Sequence, residues 1–158
     1  MTRKRSAGLL MYRVQVELQV FLVHPGGPFF ASKDEGFWSI PKGEIEGDEP
    51  SFQVALREFQ EETGQEVEAC AASPDYLELG SVMQSNGKEV QAWAFRGEWP
   101  EGASFRSNLF SMEWPPRSGH IRYFPEVDRG VFFNAQEAKA KINPAQSAFI
   151  DRLIELVR

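Results

Sequence analysis

The sequence contains a single cysteine, Cys70, and therefore cannot form an internal disulfide. This excludes a disulfide-stabilised scaffold and agrees with a reducing compartment, where a lone cysteine usually serves as a small buried apolar residue. Long apolar runs are also missing, because the apolar stretch after the basic N-terminus, residues 7 to 12, ends at Arg13. That stretch is too short for a signal peptide or a membrane span. We expect a cytoplasmic protein with no membrane attachment.

Positive charge is scarce as well. The chain has 17 basic and 23 acidic residues and a formal net charge of −6. A broad basic surface for a nucleic acid polymer is therefore not expected, and an anionic substrate must be met by local groups. The 42% hydrophobic fraction, with 13 phenylalanines, is typical of a folded globular protein. The length predicts one domain over residues 1–158.

Apolar residues in alternation predict several strands. In VQVELQVFLV, residues 14 to 23, every second side chain lies on one face, which predicts a half-buried strand that ends at HPGGP, residues 24 to 28. A short extended piece is predicted over residues 36 to 43. Asn86-Gly87 predicts a hairpin between strands at 75–84 and 88–97, and a last strand follows at 130–134.

Two further regions stand apart from these strands. Residues 98 to 125 contain several prolines and two tryptophans with little periodicity, which predicts a long ordered loop or an insertion. Loops of that length inside a compact domain are usually functional or mobile. Helical pieces are expected near residues 135–141 and 144–157.

An amphipathic helix is predicted over residues 50 to 63, with Gly64 as its natural stop. Its apolar residues recur four and three positions apart: Phe52, Leu56 and Phe59. Three glutamates centre roughly 120° away from that stripe, at about 100° per residue: Glu58, Glu61 and Glu62. The helix therefore presents an apolar side to the core and an acidic side elsewhere.

The three glutamates repel one another, because residues three and four apart are neighbours on a helix. A hard divalent cation offsets that repulsion. Mg²⁺, with Mn²⁺ as the alternative, prefers carboxylate and water oxygens and bridges them to substrate phosphates. The other interpretation is a solvated acidic helix face with no ligand.

The spacing around the glutamates favours the metal. Gly43 is followed after five residues by Glu49, and after seven more by Arg57-Glu58-Phe59-Gln60-Glu61-Glu62-Thr63-Gly64. This resembles the Nudix hydrolase signature at every charged and glycine position. Two apolar positions depart from it, since Phe59 replaces a more typical aliphatic residue and Gln65 replaces a bulky apolar one. Neither departure touches the acidic ligands.

The resemblance implies an α/β fold, a Nudix-type α/β/α sandwich with a mixed β-sheet. It also implies roles for the matching residues. Glu58, Glu61 and Glu62 would hold the divalent ions, and Glu58 would also be a candidate for activating water. Arg57 and Glu49 would form an ion pair that fixes the loop against the helix. The backbone carbonyl of Lys42, just before Gly43, would complete the metal shell.

Members of this family often recruit a further glutamate from a later loop. Glu126 is our candidate for this role, because it precedes the last predicted strand. Glu113 is the second choice. A solvated surface carboxylate remains the alternative for each.

Residues 37 to 43, FWSIPKG, resemble the corresponding stretch of enzymes that hydrolyse dinucleoside polyphosphates and diphosphoinositol polyphosphates. Lys42 would place an ammonium beside the phosphates. Aromatic rings offer stacking platforms for a nucleobase. The resulting candidates for substrate binding are Lys42, Trp38, Trp114, Arg117 and Arg122.

Metal-dependent hydrolysis of a nucleoside polyphosphate is the main hypothesis, with diadenosine tetraphosphate cleaved to ATP and AMP. The alternative substrates are ADP-ribose, oxidised nucleoside triphosphates and diphosphoinositol polyphosphates. A different class would be a catalytically silent domain that binds a nucleotide as a sensor. In either case we expect a small-molecule nucleotide ligand and a monomer or homodimer.

Overall fold

The computed structural model describes residues 4–158. Its strands are β1 (Arg5–Gln15), β2 (Glu17–Pro25), β3 (Lys42–Glu44), β4 (Ala71–Met83), β5 (Glu89–Gly97), β6 (Leu109–Glu113), β7 (Ile121–Pro125) and β8 (Val127–Asn134). Its helices are α1 (Ser51–Thr63), α2 (Val67–Cys70), α3 (Ala135–Lys141) and α4 (Ser147–Val157), with a 3₁₀ turn at Pro144–Gln146. None of the helices in this range is long and apolar enough to cross a membrane.

Six strands form one mixed sheet in the order β4-β5-β1-β2-β8, with β3 attached to β1. The β1–β5 pair is parallel and the other pairs are antiparallel. Along one edge, β1 pairs with β3 over residues 6 to 8 and with β2 over residues 12 to 15. The short strand β3 therefore lies where β1 and β2 separate.

Helices cover both faces of this sheet. Successive side chains of a strand point to opposite faces, so each central strand contributes residues to two core clusters. One core cluster lies beneath α1 and α2 and includes Ala7, Leu9, Met11, Val54, Phe59 and Phe95. The other lies beneath α3 and α4 and includes Leu10, Leu22, Ala92, Ala94, Phe149 and Leu153. This arrangement confirms the predicted α/β/α sandwich with a mixed sheet.

The strand predicted over residues 14 to 23 is wrong in one respect. The chain reverses at Val16, so residues 14 and 15 belong to β1 and residues 17 to 23 to β2. Val16 has a φ of 64° and is fully exposed, whereas Val20 and Leu22 are buried. A left-handed turn at a β-branched residue is uncommon, so the alternation of apolar residues gave no sign of it.

Helix α1 begins directly after Pro50 and ends at Gly64, which has a φ of 84° and donates its N–H to the Gln60 carbonyl. Its most buried residues are Val54, Ala55, Phe59 and Thr63. The predicted stripe is therefore slightly off centre: Phe52 and Leu56 are half-buried at its margin. Cys70 is buried, and this burial raises the pKa of its thiol to about 11.

The segment predicted as a loop over residues 98 to 125 contains a hairpin. Strands β6 and β7 pair as a separate two-stranded sheet, with Leu109 opposite Pro125 and Glu113 opposite Ile121. Phe110 from this hairpin contacts the position where a Cβ of Gly27 would lie. The strands were missed because prolines and arginines obscure their alternation of apolar residues.

Candidate active site

An open cavity of about 760 Å³ lies beside β3 and the acidic side of α1. Its lining residues are Ser6, Lys42, Gly43, Glu44, Glu46, Glu49, Arg57, Glu58, Glu61, Glu62, Lys88, Asn108, Leu109 and Glu126. The cavity therefore gathers charged side chains from α1, from the loop that precedes it, and from strands remote in sequence.

Gly43 lets β3 approach α1 closely. A Cβ built on Gly43 would overlap the carboxylate of Glu58. On the same strand, the Lys42 backbone N–H donates to Glu62 Oε1 at 3.1 Å. Burial lowers the pKa of the Lys42 ammonium, against the opposing effect of the Glu62 charge. Strand β3 thus contacts two of the three glutamates of α1, Glu58 and Glu62.

Arg57 is the cation nearest to the acidic cluster. Its Nη1 donates to Glu58 Oε2 at 3.0 Å and to both Glu61 oxygens at 3.3 Å, and its Nη2 donates to Glu49 Oε2 at 3.3 Å. The ion pair with Glu49 is the one that the signature implies, and Glu49 also accepts the backbone N–H of Glu46 at 3.1 Å. One guanidinium therefore holds the loop on the helix and offsets part of the glutamate repulsion.

Two carboxyl groups of the cluster are electrostatically unfavourable as anions. Burial raises the pKa of Glu58 to about 7, and the neighbouring Glu61 charge adds to this rise. Burial also raises the pKa of Glu62 to about 8, against the opposing effects of the Lys42 N–H and the Lys42 charge, and weaker repulsion from Glu58 and Glu126 adds to the rise. A cation placed among these groups would stabilise their ionised forms.

The donor set fits a hard divalent cation, because it consists of carboxylate oxygens whose mutual repulsion a metal would remove. As they stand, however, no three acidic, imidazole or thiol groups of residues 4–158 surround one point at metal-ligand spacing. In this arrangement Arg57 holds the carboxylates of Glu58 and Glu61 toward its guanidinium. Binding a metal would require these carboxylates to turn away from Arg57.

The C-terminal end of α1 connects the acidic cluster to Glu126. The backbone N–H groups of Arg106 and Asn108 donate to the last carbonyls of α1, at Thr63 (3.0 Å) and Glu61 (2.8 Å). Asn108 in turn accepts the backbone N–H of Glu126 at 2.7 Å. These bonds bring a residue 64 positions beyond Glu62 to the rim of the cavity. Glu113 lies elsewhere, since its carboxylate accepts backbone N–H groups at the hairpin turn.

The NUDIX domain family model matches residues 2–153. The chain belongs to the NUDIX domain family. This membership confirms the prediction of a hydrolase that acts on phosphorus anhydrides, and such enzymes generally use divalent metals and small nucleotide substrates. No protein with a curated description matches the sequence significantly.

Solved structures agree on the NUDIX fold at low sequence identity. A C. elegans Ap4A hydrolase, in a binary complex, matches with a TM-score of 0.65 and 16% identity over 96% of this chain and 97% of its own. The NUDIX domain of Shewanella oneidensis NrtR, complexed with ADP ribose, matches with a TM-score of 0.65 and 15% identity, over 100% of this chain and 90% of its own. A MutT chain, from a comparison of the Aliivibrio salmonicida and Vibrio cholerae proteins, matches with a TM-score of 0.54 and 14% identity, over 98% of this chain and 98% of its own. These identities support the fold and leave the substrate open.

Trp38 requires a correction, because it does not lie in the NUDIX cavity. It is 3% exposed and packs in the core beneath α3 and α4, against His24 and Phe133. Its indole N–H donates to Asp34 Oδ1 at 2.8 Å. The ring packs between Phe133, His24 and the guanidinium of Arg129, which lies 5.2 Å from the ring centroid, so its placement in the core gives a substrate contact no support.

The other three candidates for substrate binding lie on the β6–β7 hairpin. Trp114 is half-buried at its turn, where its ring contacts Phe29 with a centroid distance of 5.6 Å. Arg117 and Arg122 are exposed, and none of the three lines the cavity as it is formed by residues 4–158. Their placement gives the expected substrate contacts no support, because the hairpin carries them away from the acidic cluster.

Sequence analysis missed several residues of the cavity. Ser6, Lys88 and Asn108 come from β1, the β4–β5 turn and the segment before β6. None of them lies in a recognisable motif, and only the pairing of β1 with β3 and β5 brings Ser6 to the site. A sequence signal for these residues would have required knowing the strand order.

We expect Gly43→Ala to lower kcat by about 100-fold, because small displacements of reacting groups have effects of that size. The added methyl group would displace the Glu58 carboxylate. Steady-state kinetics with Mg²⁺ and a thermal unfolding curve would test this. Gly47→Ala is the control for the added methyl group, since nothing lies within 4 Å of its Cβ position; its φ of 59° strains an alanine, so it should lower the melting temperature and leave kcat unchanged. Equal activity of both variants would contradict the assigned role of Gly43.

Proposed function

We propose that this NUDIX enzyme is a Mg²⁺-dependent hydrolase of nucleoside polyphosphates, with diadenosine tetraphosphate cleaved to ATP and AMP as the first substrate to test. The observation that carries this proposal is the cavity that Glu58, Glu61 and Glu62 line together with Lys42. Carboxylates that would bind metal and an ammonium that would bind phosphate line the same space. A chain of net charge −6 needs such local cations to hold a polyphosphate.

The three glutamates of α1 would hold the metal, with the Lys42 carbonyl as a further oxygen donor. When bound, Mg²⁺ supplies charge neutralisation at the phosphoryl oxygens and lowers the pKa of a bound water. Arg57 would keep Glu49 and its loop on the helix, so that the cavity retains its shape.

The reaction would be attack of a water oxygen on phosphorus with cleavage of the bridging P–O bond. Glu58 would accept the proton of the attacking water, because it lines the cavity among the carboxylates that would hold the metal. Glu126, at the rim of the cavity, would orient the water or the metal hydration shell. The bridging oxygen would leave with one nucleotide product, and the water oxygen would stay on the phosphorus of the other.

The hairpin offers a site for a nucleobase. Residues paired across a hairpin share a face, and the face that carries cavity-lining Leu109 also carries Tyr123 and Ile121. Their side chains are 62%, 70% and 61% exposed, respectively. An exposed tyrosine on the same hairpin face as a cavity-lining residue is a suitable stacking platform, and it replaces Trp38 and Trp114 as our candidate for base contact.

Product analysis on four substrates would test the proposed function: diadenosine tetraphosphate, ADP-ribose, an oxidised nucleoside triphosphate and a diphosphoinositol polyphosphate. ATP plus AMP from the first substrate, with ¹⁸O from labelled water in one product, is the expected result. AMP plus ribose phosphate from ADP-ribose as the preferred reaction would assign the other substrate class. Nucleotide binding without any hydrolysis would instead support the sensor alternative.

A further inference from the structure

His24 is a buried ionisable residue on β2 for which the proposed mechanism has no use. It is 0% exposed, and its ring is held on three sides. Nδ1 lies 3.0 Å from Asp128 Oδ1, Nε2 lies 2.6 Å from the Lys33 carbonyl oxygen, and the ring packs edge-on against Trp38 at a centroid distance of 5.1 Å. A buried ring whose polar atoms are all paired is a rigid anchor for the groups that contact it.

Both ring nitrogens of His24 face oxygen acceptors. The Lys33 carbonyl can only accept, so Nε2 donates to it. The Asp128 carboxylate also accepts, and it receives a hydrogen bond from Nδ1 when the ring carries a hydrogen on each nitrogen. Such a hydrogen bond between charged groups is stronger than one between neutral groups. The contact therefore ties Asp128, whose side chain is 33% exposed, to the interior of the protein.

Asp128 is an extra residue in the pairing of β8 with β2. His24 pairs with Arg129 and Pro25 pairs with Val127, so Asp128 has no partner across these strands in the part of the chain that the structure describes. One residue inserted into a strand in this way forms a β-bulge. Bulges redirect nearby side chains and are common beside active sites. The contact with His24 is made by the bulged residue itself.

The bulge decides which face of the sheet the preceding residues occupy. Arg129 lies over the Trp38 ring, on the face that α3 and α4 cover. Val127, two positions earlier, lies in the core beneath α1. Residues two positions apart in a regular strand share a face, so the extra residue reverses the alternation. If β8 slipped by one residue to remove the bulge, Val127 would leave the α1 core and Glu126 would move along β2.

Glu126 depends on this register for its place in the cavity. Its backbone carbonyl accepts the Gly26 N–H at 2.9 Å, and its own N–H donates to the Asn108 carbonyl at 2.7 Å. The chains approach closely here, since a Cβ on Gly26 would overlap the Pro125 carbonyl oxygen. A slip of one residue moves a strand by about 3.3 Å. That distance is enough to break both hydrogen bonds and to withdraw Glu126 from the cavity that it lines.

We propose that His24 and Asp128 are positioning residues for Glu126. Their contact holds the bulge against slippage of β8 and so keeps the Glu126 carboxylate at the cavity. The inference rests on the proposed function, in which Glu126 orients the water or the metal hydration shell. Both residues act through Glu126, because neither lines the cavity that residues 4–158 form.

A double-mutant cycle in kcat would test this inference. We expect Asp128→Ala to lower kcat by about 10-fold and to leave KM within about 2-fold, because Glu126 would be withdrawn while the substrate site stays intact. In a Glu126→Gln background, Asp128→Ala should have no further effect on kcat. An equal loss in both backgrounds would overturn the inference, as would full activity of Asp128→Ala or a rise in KM at unchanged kcat.

Deletion of Asp128 is the matched variant that separates the register from the loss of the His24 partner. Asp128→Ala and the deletion both leave Nδ1 of His24 without its carboxylate, but the deletion also removes the extra residue. The strand pairs on either side of the bulge can then follow one another directly, so Glu126 should keep its place and kcat should exceed that of Asp128→Ala. An equal or larger loss on deletion would overturn the inference. Asp151→Ala is the surface control, since Asp151 pairs with Lys139 outside the cavity.

Amide hydrogen exchange, followed by NMR, gives a readout that does not depend on activity. The amides of Gly26 and Glu126 should exchange about 10-fold faster in Asp128→Ala, because both lose their hydrogen bonds in the slipped register. Unchanged exchange would overturn the inference.

The outcomes also distinguish this inference from the proposed function. Faster exchange in a protein that cleaves none of the nucleotide substrates would support the role of the bulge and refute the proposed function. If Glu126→Gln is fully active while Glu58→Gln is not, Glu126 has no part in the reaction. The positioning inference is then wrong, and metal-dependent hydrolysis stands.

Discussion

Glu62→Gln and Glu58→Gln should each lower kcat by about 10³-fold, within the range expected for loss of a metal ligand or a general base. Glutamine keeps the shape of the side chain and removes the charge that would hold the cation. In Glu62→Gln the amide oxygen of the new side chain can still accept the Lys42 N–H, so the contact between β3 and α1 should survive. Steady-state kinetics over a Mg²⁺ titration would measure the loss.

The matched control for this prediction is Glu66→Gln. Glu66 is exposed just after α1 and outside the cavity, so its replacement should leave kcat within about 2-fold of the wild type. If both cavity variants remain fully active, the acidic side of α1 is a solvated surface and the proposed mechanism is wrong. If all three variants lose activity equally, the effect reflects net charge and not metal binding.

The second large effect concerns stability without metal. Because the pKa of Glu62 is raised to about 8 and that of Glu58 to about 7, both carboxyl groups hold protons more tightly in the folded state than in the unfolded one. Their contribution to stability is complete below about pH 4 and is lost as the pH rises to about 8. The metal-free protein should therefore lose on the order of 4 kcal/mol of unfolding free energy between about pH 6 and about pH 8.

Urea unfolding in the presence of a chelator would measure this loss. Mg²⁺ should reduce it, because a bound cation stabilises the ionised carboxylates and adds its own binding free energy to the folded state. Glu62→Gln should remove most of the pH dependence, and Glu66→Gln should not alter it. A pH dependence that survives in Glu62→Gln would show that other groups, and not the acidic cluster, are responsible.

Arg57 connects these two predictions. Through four hydrogen bonds of at most 3.3 Å it holds Glu49, Glu58 and Glu61 in the absence of a metal. These contacts are exposed on the arginine side and are therefore weak individually. A divalent cation can compete with them for Glu58 and Glu61, whereas the more buried Glu62 has no contact with Arg57 and is compensated by the N–H and the charge of Lys42.

Sequence analysis anticipated most of the fold because its elements carry local signals. The helix α1, the Asn86-Gly87 hairpin and the C-terminal helices all follow from residues adjacent in sequence. The turn at Val16 and the β6–β7 strands were missed, because the local residue pattern predicts a continuous strand at the first and a loop at the second. The β6–β7 hairpin is held by a distant segment, through the packing of Phe110 on Gly27. The turn at Val16 is local, and its φ of 64° is one that a β-branched residue gives no sign of.

The sequence by itself determined the family and the acidic cluster, because Gly43, Glu49, Arg57 and the three glutamates lie within 22 residues at a characteristic spacing. Only the tertiary structure decided what surrounds that cluster. It buried Trp38, brought Glu126 to the cavity through Asn108, and placed Ser6 opposite Glu44 across paired strands. The physical reason is that helix periodicity and spacing act over a few residues, whereas strand pairing joins residues that are far apart in the chain.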